Sequence, residues 1–498
     1  MSLLPETWSE ANGIDLFELV RGVSYDKAAI RTEAATGFVP ILRANNISGG
    51  YLNQNDLVFA PDHFVTDKQM LKFGDLLIAS SSGSRSVVGK AAMVTEETKH
   101  VSFGAFCTVA RPREKDFSHW LRHYFSSRAY RDYVEEVALG ININNLRGKD
   151  LESISIPLPP LAEQRRIVEK LDALTARTAR ARADLDRIPA LAARYKQAVL
   201  AKAFSGELTA DWRRGRTSPS PEVIGADLLK SWEATKPNTA TRRGPASDPD
   251  AGRQPVNLGQ LPTSWVKTNL AAITDGSRLI QYGILKPGEH VTDGVPYVKV
   301  MNIKGGVVEL DKIRRTTSTI HQSYKRSSLV KGDILLTIRG TVGRLAEVPA
   351  ELHGGNITQD SVRIAVLPSV SRRFVYWFLH SPCAQEYFKA NQKGVAVRGI
   401  NVGDVRPMEL PICCIEEQEE IVFRVERAVK DIDRMVTEAA AARRLLDRLD
   451  QSVLAKAFRG ELVPQDPLDE PVSVLLDRIR AERAAAPKAK RGRRKAAA

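Results

Sequence analysis

The chain has 498 residues, 43% of them hydrophobic, and a formal net charge of +14. That length is too great for one ordinary core, so two or more domains are expected. No run of eighteen apolar residues offers a membrane span, and the opening MSLLPETWSE lacks the basic and apolar regions of a secretory signal, so a cytoplasmic protein is expected. Cys107, Cys383, Cys413 and Cys414 are too few for a disulfide framework, and none forms a C-x-x-C pair, which argues against a metal site. Half of the excess charge sits in residues 483–498, where seven basic residues and no acid predict a solvated, disordered tail. Charge therefore permits a polyanionic partner without requiring one.

The first block, residues 1–155, opens with LPETW and then alternates β-rich runs such as VPILRANNI and GDLLIAS with Gly, Asn and Asp turns. An amphipathic helical stretch, HWLRHYFSSRAYRDYVEE, follows, so the block reads as an α/β domain. Its loops hold residues suited to double-stranded DNA. They are Arg43, Asn45 and Asn46 in RANNISGG, Ser84, Arg85 and Lys90 in SSSGSRSVVGK, and Asn142, Asn144, Asn145 and Arg147 in GININNLRGK. Arg reads guanine and Asn reads adenine by bidentate hydrogen bonds, while hydroxyls and Lys serve phosphates. Against this stands plain turn chemistry for each Asn and simple solvation for each Arg.

Residues 156–208 read as a long helix. Pro157, Pro159 and Pro160 exclude helix before it, Glu163 places an acid in its first turn, and Gly206 ends it. From Glu163 to Phe204 the rise is roughly 60 Å. Apolar residues alternate at four and three: Ile167, Leu171, Leu174, Thr178, Ala181, Leu185, Ile188, Ala192, Tyr195 and Val199, with Thr178 the polar exception. A period of 3.5 held this long is a coiled-coil seam. Pro189 predicts a kink or local break. Residues 209–260 carry the Pro, Gly, Ser and Asp punctuation of a linker.

Residues 261–409 and 410–462 then repeat the plan. At an offset of 254, Pro157 aligns with Pro411, Glu163-Gln164 with Glu417-Gln418, and VLAKAFSGEL with VLAKAFRGEL, without a gap. The second seam runs Ile421, Val425, Ala428, Ile432, Met435, Ala439, Ala442, Leu446, Leu449 and Val453 in the same register. Further upstream the likeness survives as islands: LPETW with LPTSW, VPILRANNISGG with VPYVKVMNIKGG, GDLLIAS with GDILLTI. The second domain's loop candidates are Lys299, Asn302 and Lys304, then Arg339, Thr341 and Arg344, then Arg398 and Asn401. The economical partner for one rod is the other, and equal lengths favour an antiparallel pair. In the repeated decapeptide Lys202, Phe204 and Glu207, with Lys456, Phe458 and Glu461, are kept beyond what a seam needs. They predict two like contacts, with a partner subunit or with the other half of the chain. Residues 463–498 form the basic tail.

Catalytic patterns are missing. GSRSVVGK has one intervening residue too many for a phosphate loop and Ala91 where Ser or Thr is needed, and no dinucleotide, zinc-protease, serine-hydrolase or aminomethyltransferase motif occurs. A non-catalytic chain is expected.

Taken together, the helix opening PLPPLAEQRRIV, the closing VLAKAFSGEL and the second round ending VLAKAFRGEL resemble the specificity (S) subunit of type I restriction–modification systems. The resemblance covers nearly the whole chain. It implies two α/β target recognition domains joined by two long helices in an antiparallel coiled coil, with an internal pseudo-twofold repeat. Each domain would read one half of a bipartite, asymmetric DNA target. The helices would set the spacing and dock two modification (methyltransferase) subunits, with restriction (ATP-dependent nuclease) subunits joining them. The chain itself would hold no cofactor, S-adenosylmethionine and ATP belonging to the partners. Two other readings stay open here: a coiled-coil scaffold with protein-binding variable domains, and a non-catalytic remnant of a fused methyltransferase–specificity enzyme.

Overall fold

The run Leu76–Ala79 is apolar at every position because both faces of the strand it forms are covered: Leu76 and Ile78 join one buried cluster, Leu77 and Ala79 another. Ile334–Thr337 repeats the device, with Ile334 and Leu336 in one cluster and Leu335 in a second. These strands are the hearts of two units in a computed structural model whose described residues are 4–98, 100–138, 144–236, 253–394 and 398–485. One unit comprises Met1–Asp186 with Ala440–Ala498, the other Arg187–Ala439.

In the first unit an antiparallel sheet takes the order Phe17–Arg21, Cys107–Pro112, Leu76–Ala79, Ala91–Met93. A smaller sheet sets Phe38–Leu42 between Ser102–Phe103, parallel to it, and Val58–Pro61, antiparallel. Ser9–Asn12 pairs with Ser155–Leu158, tying the start of the chain to the strand that leads into the first rod. The second unit repeats every part. Its large sheet runs Gln281–Tyr282, Ser361–Ile364, Ile334–Thr337, Leu345–Glu347. Its small sheet is centred on Val295–Val298, and Val266–Asn269 pairs with Glu409–Ile412.

The rods are Leu161–Phe204 and Ile415–Ala457, and each contributes to both units. Within the first unit the partner number falls as the first rises, the mark of an antiparallel pair. Thr178 Oγ1 donates to Asp450 (3.4 Å), Arg182 pairs with Asp447 (2.9 Å) and Asp450 (2.7 Å), and Arg443 reaches Asp186 (3.4 Å). In the second unit the end of the first rod meets the start of the second: Val199, Leu200, Ala203 and Phe204 share a core with Ile421, Val425 and Val429.

Four expectations are corrected. The first rod has no break at Pro189: the helix runs on through this exposed residue, with half-buried Ile188 and buried Ala192 on either side of it. Tyr195, Met435 and Leu449 of the predicted seams are exposed, although Ala192 and Val199 on either side of Tyr195, and Ile432 and Ala439 on either side of Met435, are buried, so only part of the 3.5 repeat is covered there. The expected linker contains a helix, Pro221–Thr235, whose Ile224 and Leu228 enter the second unit's core. The expected tail contains the helix Val472–Ala485, whose Val472, Leu475, Leu476 and Ile479 enter the first unit's core. Arg480 (3.2 Å) and Arg483 of that helix pair with buried Asp15, so the first of the seven basic residues in 483–498 is docked rather than solvated. Residues 486–498 lie outside the described set.

Candidate nucleic-acid interface

The repeated motifs turn out to be joints of the fold. Glu163 is buried and accepts hydrogen bonds from Trp8 Nε1 (2.9 Å) and Gln465 Nε2 (2.7 Å); Glu417 is buried and accepts from Trp265 Nε1 (3.0 Å), Thr209 Oγ1 (2.8 Å) and Arg213. Gln164 donates to Pro159 O (2.8 Å) and Gln418 to Cys413 O (2.7 Å), so each Gln caps the carbonyl chain just before its rod. Burial pushes the Glu163 carboxyl up from its ordinary value, and the Trp8 and Gln465 hydrogen bonds only partly offset this.

The decapeptides close the same joints. Phe204 packs edge-on against Phe374 (5.2 Å) and Phe378 (5.3 Å), and Phe458 against Trp120 (4.6 Å) and Tyr124 (5.4 Å). Both phenylalanines are buried in this chain's own cores, which removes them from the candidate subunit-contact surface. Gly206 (φ +81°) and Gly460 (φ +74°) adopt the left-handed conformation, and a Cβ on them would stand 2.3 Å from Pro262 Cγ and 2.5 Å from Pro5 Cγ. The prolines belong to LPTSW and LPETW, so one contact explains two motifs. Lys202, Glu207, Lys456 and Glu461 are exposed; Lys202 pairs with Glu207 (2.8 Å), and Glu461 with Arg459 (2.7 Å).

Two of the three loop stretches in each domain converge on one junction. In the first unit Ser81–Ser82 pairs antiparallel with Asn144–Asn145, Ser81 Oγ donates to Asn145 Oδ1 (2.7 Å), and Leu146 N donates to Ser80 O (2.8 Å). Ser80 N (2.9 Å) and Ser81 N (3.1 Å) both donate to Phe106 O, which adds a third segment. Arg131, from the helix Arg128–Val137, holds the glycine-serine turn by donating to Val88 O and Arg85 O, each at 2.6 Å. Ser84, Arg85, Lys90, Asn145 and Arg147 are exposed around it; Asn144 is buried, and Asn142 lies outside the described residues.

The second unit builds the same junction from different letters. Ile338 N (2.8 Å) and Arg339 N (3.2 Å) donate to Asp360 O, Ile400 N donates to Ile338 O (2.8 Å), and Arg339 bridges Gly399. Gln385 replaces Arg131 and donates to Gly343 O (3.2 Å). Arg339, Thr341, Arg398 and Asn401 are exposed here, while Arg344 turns inward to Ile303 O (3.3 Å).

The remaining stretches are turn devices. Asn46 is buried, accepts from Arg43 N (2.8 Å) and donates to Asn55 O (2.7 Å); Asn302 is buried, accepts from Lys299 N (2.9 Å) and donates to Lys312 O (3.3 Å). Neither amide is free to read a base, which corrects the expectation for both. Arg43 (3.2 Å) and Asn45 (3.2 Å) share Asp56, and Lys304 pairs with Glu309 (3.0 Å); Lys299 lies over the Tyr297 ring at 5.6 Å. In the first unit Arg85, Lys90 and Asn144 line a cleft of about 1440 Å³ whose other wall includes Leu174 and Arg182 of the rod.

Among the described residues no group of three or more His, Cys, Asp or Glu could hold a metal, and no helix is long and apolar enough to cross a membrane. The four cysteines are free thiols. Sequence reasoning missed Phe106 altogether. Its signal was present, a large apolar letter in the turn of FGAFCTVA, outside the alternation of the following strand.

The family model of the type I restriction modification DNA specificity domain matches residues 5–189. The type I restriction enzyme EcoKI specificity subunit of Escherichia coli strain K12 is 31% identical over 519 residues, covering 99% of each chain. The StySPI specificity subunit of Salmonella potsdam is 31% identical over 507 residues, again 99% of each. Among solved structures, a chain from a type I R-M system, studied for its complex assembly and conformational transition, matches with a TM-score of 0.59 at 18% identity. It covers 92% of this chain and 100% of that one, a likeness of fold.

Proposed function

The chain belongs to the specificity subunits of type I restriction enzymes, and from that membership and the duplicated junction we propose that it reads DNA for a type I restriction–modification complex without catalysing a step itself. Each domain reads one half of a bipartite target through its three-segment junction. The observation that carries this reading is the pairing of one backbone framework with two sets of exposed side chains. Ser84, Arg85, Asn145 and Arg147 surround it in one unit, Arg339, Thr341, Arg398 and Asn401 in the other. Matching frameworks with unlike donors and acceptors suit two unlike half-sites, hence an asymmetric target. The rods, each shared by both units, set the number of bases between the half-sites. Their exposed outer faces dock two modification subunits, which supply S-adenosylmethionine chemistry, and restriction subunits supply the ATP-dependent nuclease.

The test is equilibrium binding at moderate salt by the complex reconstituted from this chain and its modification subunits. A preference for one split sequence over random duplex of roughly a thousandfold or more is expected. Equal affinity for both contradicts the reading.

A further inference from the structure

We propose that Phe106 is a specificity-determining residue of the first half, touching bases of its half-site through the apolar surface of its ring; the inference rests on the DNA-reading function above. Phe106 is 69% exposed, the most exposed phenylalanine or tyrosine among the described residues. The exposure does not come from a loose loop. Buried Phe103 and Cys107 flank the turn, Cys107 N donates to Gly104 O (2.9 Å), and Gly22 lies so close that a Cβ on it would stand 2.1 Å from Gly104 O. The Phe106 carbonyl is itself a fixed point of the junction, accepting from Ser80 N, Ser81 N and Ser80 Oγ (3.0 Å). A hydrogen-bonded backbone thus carries an exposed apolar residue on the segment that adjoins the Ser81–Asn145 pair.

Single exposed apolar residues are ordinary on protein surfaces, so exposure alone decides nothing. The second unit supplies the deciding comparison. There the residue whose carbonyl takes the same two backbone hydrogen bonds is Asp360, and the residue in the place of Ser81 is Arg339, which reaches Gln359 Oε1 (3.5 Å). The backbone framework is kept and the residues on it differ: Phe106 and Ser81 in one half, half-buried Asp360 and exposed Arg339 in the other. The Phe106 and Asp360 carbonyls, not their side chains, hold the framework, so the side chains are free to differ. One that reads sequence must differ if the half-sites differ. An aromatic ring at such a place meets bases in two ways, against a thymine methyl in the major groove or as a wedge between base steps.

The experiment uses the full chain in complex with its modification subunits. Adenine-methylation mapping of a host genome first gives the wild-type target, and duplexes carrying that target and random duplex are then compared with Phe106→Ala, Phe106→Leu and Arg339→Ala complexes. Phe106→Ala is expected to lose roughly tenfold or more in affinity for the target and little for random duplex, with Phe106→Leu between the two and with base preferences relaxed in one half-site alone. Arg339→Ala is expected to relax the other. Replacing each thymine of the half-site by deoxyuridine identifies a methyl contact, and 2-aminopurine fluorescence identifies insertion; a response of either probe in wild type that vanishes in Phe106→Ala supports the proposal. Unchanged discrimination, equal weakening on target and random duplex, or silence of both probes overturns it. Should the wild-type complex itself show no sequence preference, the DNA-reading function fails first, a result distinct from any of these.

Discussion

Gly206 and Gly460 carry more of the fold than their size suggests. Each stands at positive φ with a proline ring in the space a Cβ would take. Gly206→Ala and Gly460→Ala should each cost about 1 kcal/mol for the backbone alone and more for the clash, read as a lower melting temperature of the purified complex. An unchanged melting temperature would show that the Pro262 and Pro5 contacts yield freely. Asp172 offers a pH test. Burial raises its pKa, but the hydrogen bond from His123 (2.8 Å) and the charges of His123, Arg122 and His119 outweigh that and leave it below the ordinary value. A depressed carboxylate contributes stability that is present above its unfolded pKa and lost as pH falls through its folded pKa. Unfolding free energy measured below about pH 4 should therefore fall less steeply with acid in Asp172→Asn than in wild type. At this scale the sequence was a poor guide to roles. Asn46 and Asn302 have the letters of base readers, yet the backbone groups they satisfy lie within their own turns, and only the folded chain reveals which donors they spend.

Rods were legible before any coordinates because their signals are local: prolines before, a 3.5 period within, glycine after. The helices Pro221–Thr235 and Val472–Ala485 were not, because Pro at a helix start (Pro221) or just before one (Pro471) looks the same in sequence as Pro in a linker. Their apolar residues show only against the cores they join. The sheets were legible as strands but not as an order, since Leu76–Ala79 looks alike from both faces. Pro189 gives the element its own test. A helix-interior proline costs about 3 kcal/mol through a lost hydrogen bond and a clash with the carbonyl four residues earlier, here Leu185. Pro189→Ala should raise the melting temperature and leave the recognised sequence unchanged. A lower melting temperature, or an altered target, would mean that the rod requires the proline.

At the scale of the molecule, the repeat reads as two copies of one unit plan, each made from a domain, the start of one rod and the end of the other. The motifs that recur letter for letter, LP-x-x-W, E-Q and A-F-x-G-E-L, are where those three parts lock together. The letters that drift surround the junctions. Conserved joints with variable surfaces are what a scaffold needs if its two readers must change independently. Modularity is thus the central claim, and its most direct measurement is an exchange of residues 1–155 for those of another specificity subunit, followed by adenine-methylation mapping of a host that carries the modification partner. A new sequence in one half-site, the old sequence in the other and an unchanged number of bases between them are expected. A change in both half-sites would contradict modularity.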